Sequence, residues 1–388
     1  MKHLTIRHFG PIEEIDIELK RVNLIIGPQS AGKSTVLKVA CFCSWMERQI
    51  ELTQNKDPYC EPSYLLKNLV GFHKLDGYIH NDTFIRYSSD FMSFDYSEKT
   101  KECSFEWNDP NRWKYKRPKI SYIPSERNLV AAIPNWFQVS MNNDNILDFM
   151  QEWEFARKAF SKGEKILDLD AKYKYNPANK SDKIKLPNGK DMDLTMASSG
   201  LQSLTPLYIM LKYLTKDYYK QSHSNVKERT LRNDLTEIVA KECGKLPYEK
   251  QQKIVDDILT PHHSELFIEE PEAHIFPSTQ KSFVYSLVKM LKHNHHCFIA
   301  THSPYILTSF NNTILAGEAI AAADDKAKEV EKILPKNQSL RYKEIAAFEI
   351  SNGRIKNILD DEFQLISAEA IDSASQEISN DFDKILNI

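Results

Sequence analysis

The most constraining stretch of this chain is Gly27-Pro28-Gln29-Ser30-Ala31-Gly32-Lys33-Ser34-Thr35. It follows the apolar run VNLII at 22–26 and precedes VLKVACFCSWMERQIEL, an amphipathic segment of helical period. A run buried on both faces suits a parallel strand. Strand, glycine loop and helix together form the context in which GxxxxGK[ST] cradles phosphate. The two glycines permit a tight turn whose N–H groups point inward, the lysine supplies a point charge, and the helix adds its positive end. Glycine is scarce, with 11 in 388 residues, where average usage would give roughly 27. Two glycines at the required spacing therefore read as a phosphate loop rather than incidental turns.

Three further segments place polar groups where an α/β sheet gathers its ligands. Leu266-Phe267-Ile268-Glu269-Glu270-Pro271-Glu272 is an apolar strand ending in carboxylates. One carboxylate there can hold Mg²⁺ and its waters, and its neighbour can polarise an attacking water; alone, the same pattern also fits a strand entering a solvated acidic turn. Ala300-Thr301-His302-Ser303-Pro304 ends another apolar run, putting a histidine at the carboxyl edge of a strand. Met196-Ala197-Ser198-Ser199-Gly200-Leu201-Gln202 precedes a helical segment. Small residues there suit both an anion site and plain N-capping.

Around these segments the reading is α/β. Residues 3–8 and 13–19 alternate about Gly10-Pro11 as an antiparallel hairpin. Residues 77–96 and 102–107 also read as β, and 119–123 as a buried strand ending at Pro124-Ser125-Glu126-Arg127. Helix is expected over 143–162, 200–221, 225–258 and 277–293. Strands are expected within 166–195, at 265–269 and 296–301, and in a pair at 345–351 and 353–359 about Asn352-Gly353. Four regions follow: 1–135, the first part of the core; 136–260, a helical and β insertion lobe; 261–350, the rest of the core; and 351–388, a strand and an acidic helical tail.

Composition excludes other classes. Hydrophobic residues are 41% and charged residues 27%, close to ordinary globular usage. Aromatic residues spread along the chain argue against disorder. No apolar run approaches the ~18 residues of a membrane span, and MKHLTIRHFG reads as a strand rather than a signal peptide. The six cysteines form no CxxC pair, and Cys41 and Cys297 read as buried thiols, so a reducing cytoplasm is expected. A net charge of −3 gives no general attraction to nucleic acid or membrane and leaves room for a local basic patch.

GPQSAGKST, ASSGLQ, LFIEEPEAH and ATHSP stand in the order of the ABC-type ATPase heads. They resemble the Walker A, signature, Walker B with D-loop and switch-histidine motifs. The EEPEAH wording resembles the SMC-like and OLD-like branch, including ATPases of bacterial anti-phage systems. The resemblance implies an ABC-type P-loop ATPase head with an antiparallel β-rich N-terminal lobe and an inserted helical lobe. By position, residues Gly27, Pro28, Gln29, Ser30, Ala31, Gly32, Lys33, Ser34 and Thr35 would hold ATP. Ser34 and Glu269 would meet Mg²⁺. Glu270 would be the catalytic base, and His302 would contact the γ-phosphate beside Lys33. Ser198, Ser199 and Gly200 would reach the nucleotide of a second copy in an ATP-sandwich dimer or higher assembly. Ser199 stands where many signatures have glycine, Leu201 where glutamine or glutamate is usual, and the Q-loop counterpart at 124–127 has no glutamine. The implied role is a sensor that gates an effector such as a nuclease or toxin. The alternative is a DNA-maintenance ATPase that clamps DNA, although no long heptad run is present.

Weaker signals remain. Trp113-Lys114-Tyr115-Lys116-Arg117 and Lys172-Tyr173-Lys174-Tyr175 suit nucleic-acid contacts and equally a solvated hairpin face. His293, His295 and His296 resemble a metal cluster in composition only. Asp360-Asp361-Glu362 and Asp381-Phe382-Asp383 read as structural acidic segments.

Overall fold

The computed structural model describes residues 2–133, 141–220, 226–291, 294–322 and 327–367. The N-terminal hairpin forms as read: β1 (Lys2–Phe9) pairs antiparallel with β2 (Ile12–Leu19). Next come β3 (Val22–Ile26), the long helix α1 (Lys33–Thr53) and the one-turn helix α2 (Pro62–Leu65). The alternating stretch after it becomes β4 (Ile79–Ser88), β5 (Met92–Ser97) and β6 (Glu102–Trp107). β7 (Pro118–Ile123) leads to the short α3 (Leu129–Ala132) and then α4 (Asn145–Lys158). The start of α4 is set by Asp144, whose carboxylate accepts hydrogen bonds from Ile146 N at 2.9 Å and Leu147 N at 3.0 Å.

A small sheet follows: β8 (Glu164–Lys165), β9 (Lys172–Asn176), β10 (Ser181–Lys185) and β11 (Asp191–Asp193). α5 (Ser199–Lys212) continues through a wider helical turn at Tyr213–Asp217 and a tighter one at Tyr218–Lys220, so the helix read over 200–221 forms with its last turns altered. The charged stretch at 225–258 divides into α6 (Val226–Glu242) and α7 (Tyr248–Leu259), with Pro247 at the break. β12 (His263–Glu269), α8 (Pro277–Leu291) and β13 (His296–Thr301) match the reading closely. α9 (Pro304–Ala322) and α10 (Ala327–Ile333) were not anticipated. The pair β14 (Ile345–Ser351) and β15 (Arg354–Asn357) precedes β16 (Leu359–Asp360) and β17 (Leu365–Ile366), which hold Asp360-Asp361-Glu362 in a hairpin turn. Asp381-Phe382-Asp383, the rest of the acidic tail and His293 lie outside the described residues.

One sheet joins eleven of these strands in the order β6-β5-β4-β1-β2-β15-β14-β3-β13-β12-β7. The half from β14 to β7 is parallel, and the half from β6 to β2 is antiparallel. One apolar core contains α1 (Val36, Phe42, Met46, Ile50), residues of the antiparallel strands (Ile6, Ile15, Ile85, Phe94) and one face of the parallel strands (Phe267, Phe298, Phe348). A second core lies on the other parallel face, beneath α4, α5, α8 and α9, and takes in Trp153, Leu207, Phe283 and Phe310. α1 is thus enclosed by two parts of the same sheet.

A polar tie crosses this core. The Lys2 ammonium on β1 lies 2.5 Å from the buried carboxylate of Glu265 on β12 and 3.6 Å from Glu47 on α1. Burial opposes the charge on Glu265, but Lys2 and a hydrogen bond from His263 outweigh it and hold the carboxyl well below its ordinary value. Burial likewise opposes the Lys2 charge, and the two carboxylates overcome it and raise its pKa. Lys2→Ala leaves both carboxylates buried without their cation, and an expected loss of about 3 kcal/mol follows. Glu265 supplies stability above its unfolded value, 4.5, that is lost as pH falls through the lower folded one. Lys2 supplies stability below 10.5 that is lost as pH rises through its higher folded value. Urea denaturation should therefore separate the variant from wild type most widely between those limits, with the gap closing in strong acid.

Candidate functional site

Register brings the sequence motifs to one edge. Ile26 of β3 pairs with Thr301 of β13, Ala300 with Glu269 of β12, and Ile268 with Ile123 of β7. The residues that follow each pair leave the sheet together: Gly27, His302, Glu270 and the Pro124–Arg127 turn. In an open parallel sheet this carboxyl edge is the ligand crevice.

The loop at 27–32 is shaped by its glycines. A Cβ at Gly27 would lie 2.2 Å from the backbone oxygen of Ile350 on β14, so no larger residue fits without moving the sheet. Gly32 has φ +105°, a conformation that side-chain-bearing residues rarely adopt. Lys33 begins α1 and is buried, and its ammonium donates to Gly27 O at 2.8 Å and Pro28 O at 2.6 Å. Burial lowers the Lys33 pKa, while the charges of Glu270 and Glu272 act to raise it. Ser34 and Thr35 continue the first turn, with Thr35 buried and Ser34 partly exposed.

The β12 edge carries three carboxylates in three environments. Glu269 is buried; Tyr122 on β7 donates its hydroxyl to one oxygen, and Ser125 donates its backbone N–H to the other at 3.2 Å. Burial first, then the Glu269 charge, raises the Tyr122 pKa, so the phenol stays a donor. Glu270 projects outward, its Oε1 3.6 Å from His302 Nε2. Its N–H continues the parallel pairing by donating to Ala300 O at 2.8 Å, yet its φ is +42°, strained for a residue with a side chain. Glu272 accepts from the backbone N–H of His302 at 2.6 Å. Its other oxygen, Oε2, is buried without a hydrogen-bond partner among the described residues.

The residue that holds this turn is Arg127, which is fully buried. Its guanidinium donates to Glu269 O at 2.8 Å, to Glu270 O at 2.7 Å and to Pro124 O at 3.3 Å. It also reaches the oxygen and hydroxyl of Ser203 on α5, each at 3.3 Å. Burial pushes its pKa down to about 10, held up by the charges of Glu272, Glu270 and Glu269, so it remains a cation at neutral pH. The sequence marks Pro124–Arg127 as a strand-end motif but does not show that one side chain ties β7, β12 and α5. The signal present was an arginine three residues after the proline that ends an apolar strand.

Ser198 caps α5, its hydroxyl accepting from Leu201 N at 3.5 Å, and Ser198 and Ser199 are exposed. A Cβ on Gly200 would stand 3.0 Å from His274 O, so the start of α5 lies against the turn that follows Glu270. Other sequence candidates part from the site. Tyr173 and Tyr175 are buried while Lys172 and Lys174 are exposed, and Tyr115 belongs to a third core with Leu235 and Ile258. Those rings are therefore unavailable for base stacking. His295 is buried and its Nδ1 accepts from Ser264 N at 2.9 Å, which makes it structural.

Mg²⁺ fits the donors present. Glu269, Glu270 and the Ser34 hydroxyl offer hard oxygens. Among the described residues no cluster of three or more His, Cys, Asp or Glu is arranged to hold a metal alone. Mg²⁺ is commonly held by one or two carboxylates together with substrate phosphates and water.

Parallel sheet, glycine loop and acidic strand end define the class: an α/β P-loop nucleotide-binding protein. The family described as "AAA domain, putative AbiEii toxin, Type IV TA system" matches residues 22–308, and the chain belongs to it. No curated protein matches it. In structure it is similar to the SMC head domain from Thermotoga maritima, with TM-score 0.40 and 11% identity, covering 92% of this chain and 97% of that one. It is also similar to an Smc head domain bound to the C-terminal domain of ScpA derived from Pyrococcus furiosus, with TM-score 0.39, 9% identity and coverage of 98% and 100%. A third is the recombination mediator protein RecF, with TM-score 0.32, 11% identity and coverage of 92% and 97%.

Replacing Arg127 by methionine strands several buried carbonyls at once. Arg127→Met should lower stability by about 3 kcal/mol or more, since each orphaned buried acceptor costs ~1–3 kcal/mol. Ser203→Ala keeps the Ser203 carbonyl contact and should cost about 1 kcal/mol or less. Denaturant titration of both variants checks the contrast.

Proposed function

We propose that this chain is a Mg-ATP-dependent ATPase that dimerises on ATP and gates a partner effector, as the sensor ATPase of a bacterial anti-phage defence system. The observation that carries the ATPase reading is the convergence of Lys33, Glu269, Glu270 and His302 at adjoining ends of parallel strands. In this reading Lys33 leaves its loop carbonyls for the β- and γ-phosphates, and the loop N–H groups and the α1 N-terminus hold the remaining phosphate oxygens. Ser34 and Glu269 would hold Mg²⁺, which would supply charge neutralisation for the transferred phosphoryl group. Glu269 is kept in place by Tyr122 and Ser125. Glu270 orients the attacking water and takes up its proton, and His302 stands beside it toward the γ-phosphate.

Dimerisation is supported by the apolar residues that border the site motifs. Met196, Phe276 and Tyr305 are 75%, 74% and 53% exposed. They flank the Ser198–Gly200 turn, the turn after Glu272 and the His302 loop in sequence. A contiguous exposed apolar patch marks an interaction surface, and in this reading these three side chains contribute to one. In the dimer Ser198, Ser199 and Gly200 would meet the nucleotide held by the other copy. The effector role draws on the toxin system named in the family description. The second reading, DNA maintenance by an SMC-like ATPase, is favoured by the resemblance in motif wording.

Glu270→Gln should bind ATP as the wild type does, lower phosphate release at least a hundredfold and accumulate dimer. Nucleotide titration, phosphate release and light scattering read the three effects. Lys33→Ala should lose nucleotide binding. Normal hydrolysis by both variants would refute the assignment. For the defence role, deletion should raise phage plaquing, and unchanged plaquing with no co-purifying effector would contradict it.

A further inference from the structure

The β8–β11 sheet has two unlike faces. Inward, Tyr173, Tyr175 and Ile184 are buried, with Tyr173 5.8 Å ring to ring from Trp153 of α4. Outward, β9 carries Lys172 and Lys174, and β10 carries Lys183 and Lys185. Register sets Lys174 directly opposite Lys183 and Lys172 directly opposite Lys185. Like charges in directly opposed positions destabilise a sheet, and here two such pairs stand side by side.

The local acids neutralise them only in part. Residues 158–193, which span the whole sheet, contain nine lysines and six carboxylates, in a chain whose net charge is −3. Three of the six carboxylates are engaged elsewhere: Glu164 pairs with Lys212, Asp168 accepts from Ser282 at 2.8 Å, and Asp182 binds Arg157 at 3.0 Å. On this face β11 sets Asp193 opposite Lys183, which it meets at 2.7 Å, and Asp191 opposite Lys185. Lys162, Lys172, Lys174, Lys183 and Lys185, with Asp191 as the one carboxylate, line a cavity of about 540 Å³ that includes none of the loop residues at 27–35.

We propose that this lysine face binds the phosphate backbone of a nucleic-acid duplex, apart from the nucleotide site. Successive outward lysines on a strand lie ~6.8 Å apart and the two rows ~4.8 Å apart, so the charge is a repeating ladder rather than a convergent pocket for one small anion. A ladder of lysine point charges suits a ladder of phosphates. The inward tyrosines leave no stacking platform of the kind single-strand binders use. None of the large apolar side chains exposed on the protein falls within 158–190, so the face lacks the groups that a membrane-surface element inserts. Contacts confined to phosphate position a duplex without reading its sequence.

The test is anisotropy of labelled DNA and RNA duplexes of equal length against the full chain, over a salt series. Wild type should bind at low salt, with log affinity falling linearly in log salt. Lys172→Gln, Lys174→Gln and Lys185→Gln combined should weaken binding at least tenfold and reduce the salt slope by about 2–3. The same three positions changed to arginine should retain binding. Preference between the DNA and RNA arms identifies which duplex is the ligand. The glutamine variant, relieved of opposed charges, should melt no lower than wild type and bind ATP equally. Equal duplex binding by wild type and the glutamine variant would overturn the proposal. So would wild type that ignores both duplexes yet binds polyglutamate or phosphatidylserine vesicles.

Discussion

Helix α1 packs on two faces at once, against the parallel strands on one side and the antiparallel lobe on the other. A helix held that way has no freedom to slide or turn, because shifting it by one residue would drive Phe42, Met46 and Ile50 out of their places in a close-packed core. Its N-terminus is therefore a fixed point, and Lys33, Ser34 and Thr35 occupy its first turn. The Lys2–Glu265–Glu47 tie spans the same core and links the first strand, the helix and the acidic strand. The position of the glycine loop is in this sense a consequence of how the whole sheet wraps one helix.

The second constraint acts on the other side of the crevice. Glu270 sits at positive φ, a strain of ~1–3 kcal/mol that persists only where the surroundings over-determine the backbone. Arg127 does this by grasping the carbonyls on both sides of the Glu270 Cα. The same guanidinium holds Ser203, five residues past the cap of α5. Movement of α5 and movement of the Glu270 turn are thus mechanically joined, which is the connection an ATPase needs if a partner at the Ser198 turn is to influence the acidic edge.

Much of this was legible in the sequence because the signals were local. The loop spacing, the apolar runs at 22–26, 265–269 and 296–301, and the hairpin about Gly10-Pro11 each rest on a few adjacent residues, and all form as read. Non-local facts were hidden. Arg127 finds its acceptors 76, 142 and 143 residues away, so the strand-end tetrapeptide could be marked but not understood. α9 was missed although Ile306, Leu307, Phe310 and Ile314 mark its buried face, because Leu315, Ala316 and Ala319 blur the period. The alternation in Lys172–Tyr175 showed two faces, but only the packing of Trp153 decides which is covered.

The central claim is that four strand-end segments form one Mg-ATP site. Hydrogen exchange of the full chain with and without Mg-ATP tests it most directly. Amides at 27–37, 124–128, 268–273 and 300–304 should gain protection together at one nucleotide concentration, and the β8–β11 sheet should not change. Protection absent from the loop, or confined to segments away from these strand ends, would contradict the account.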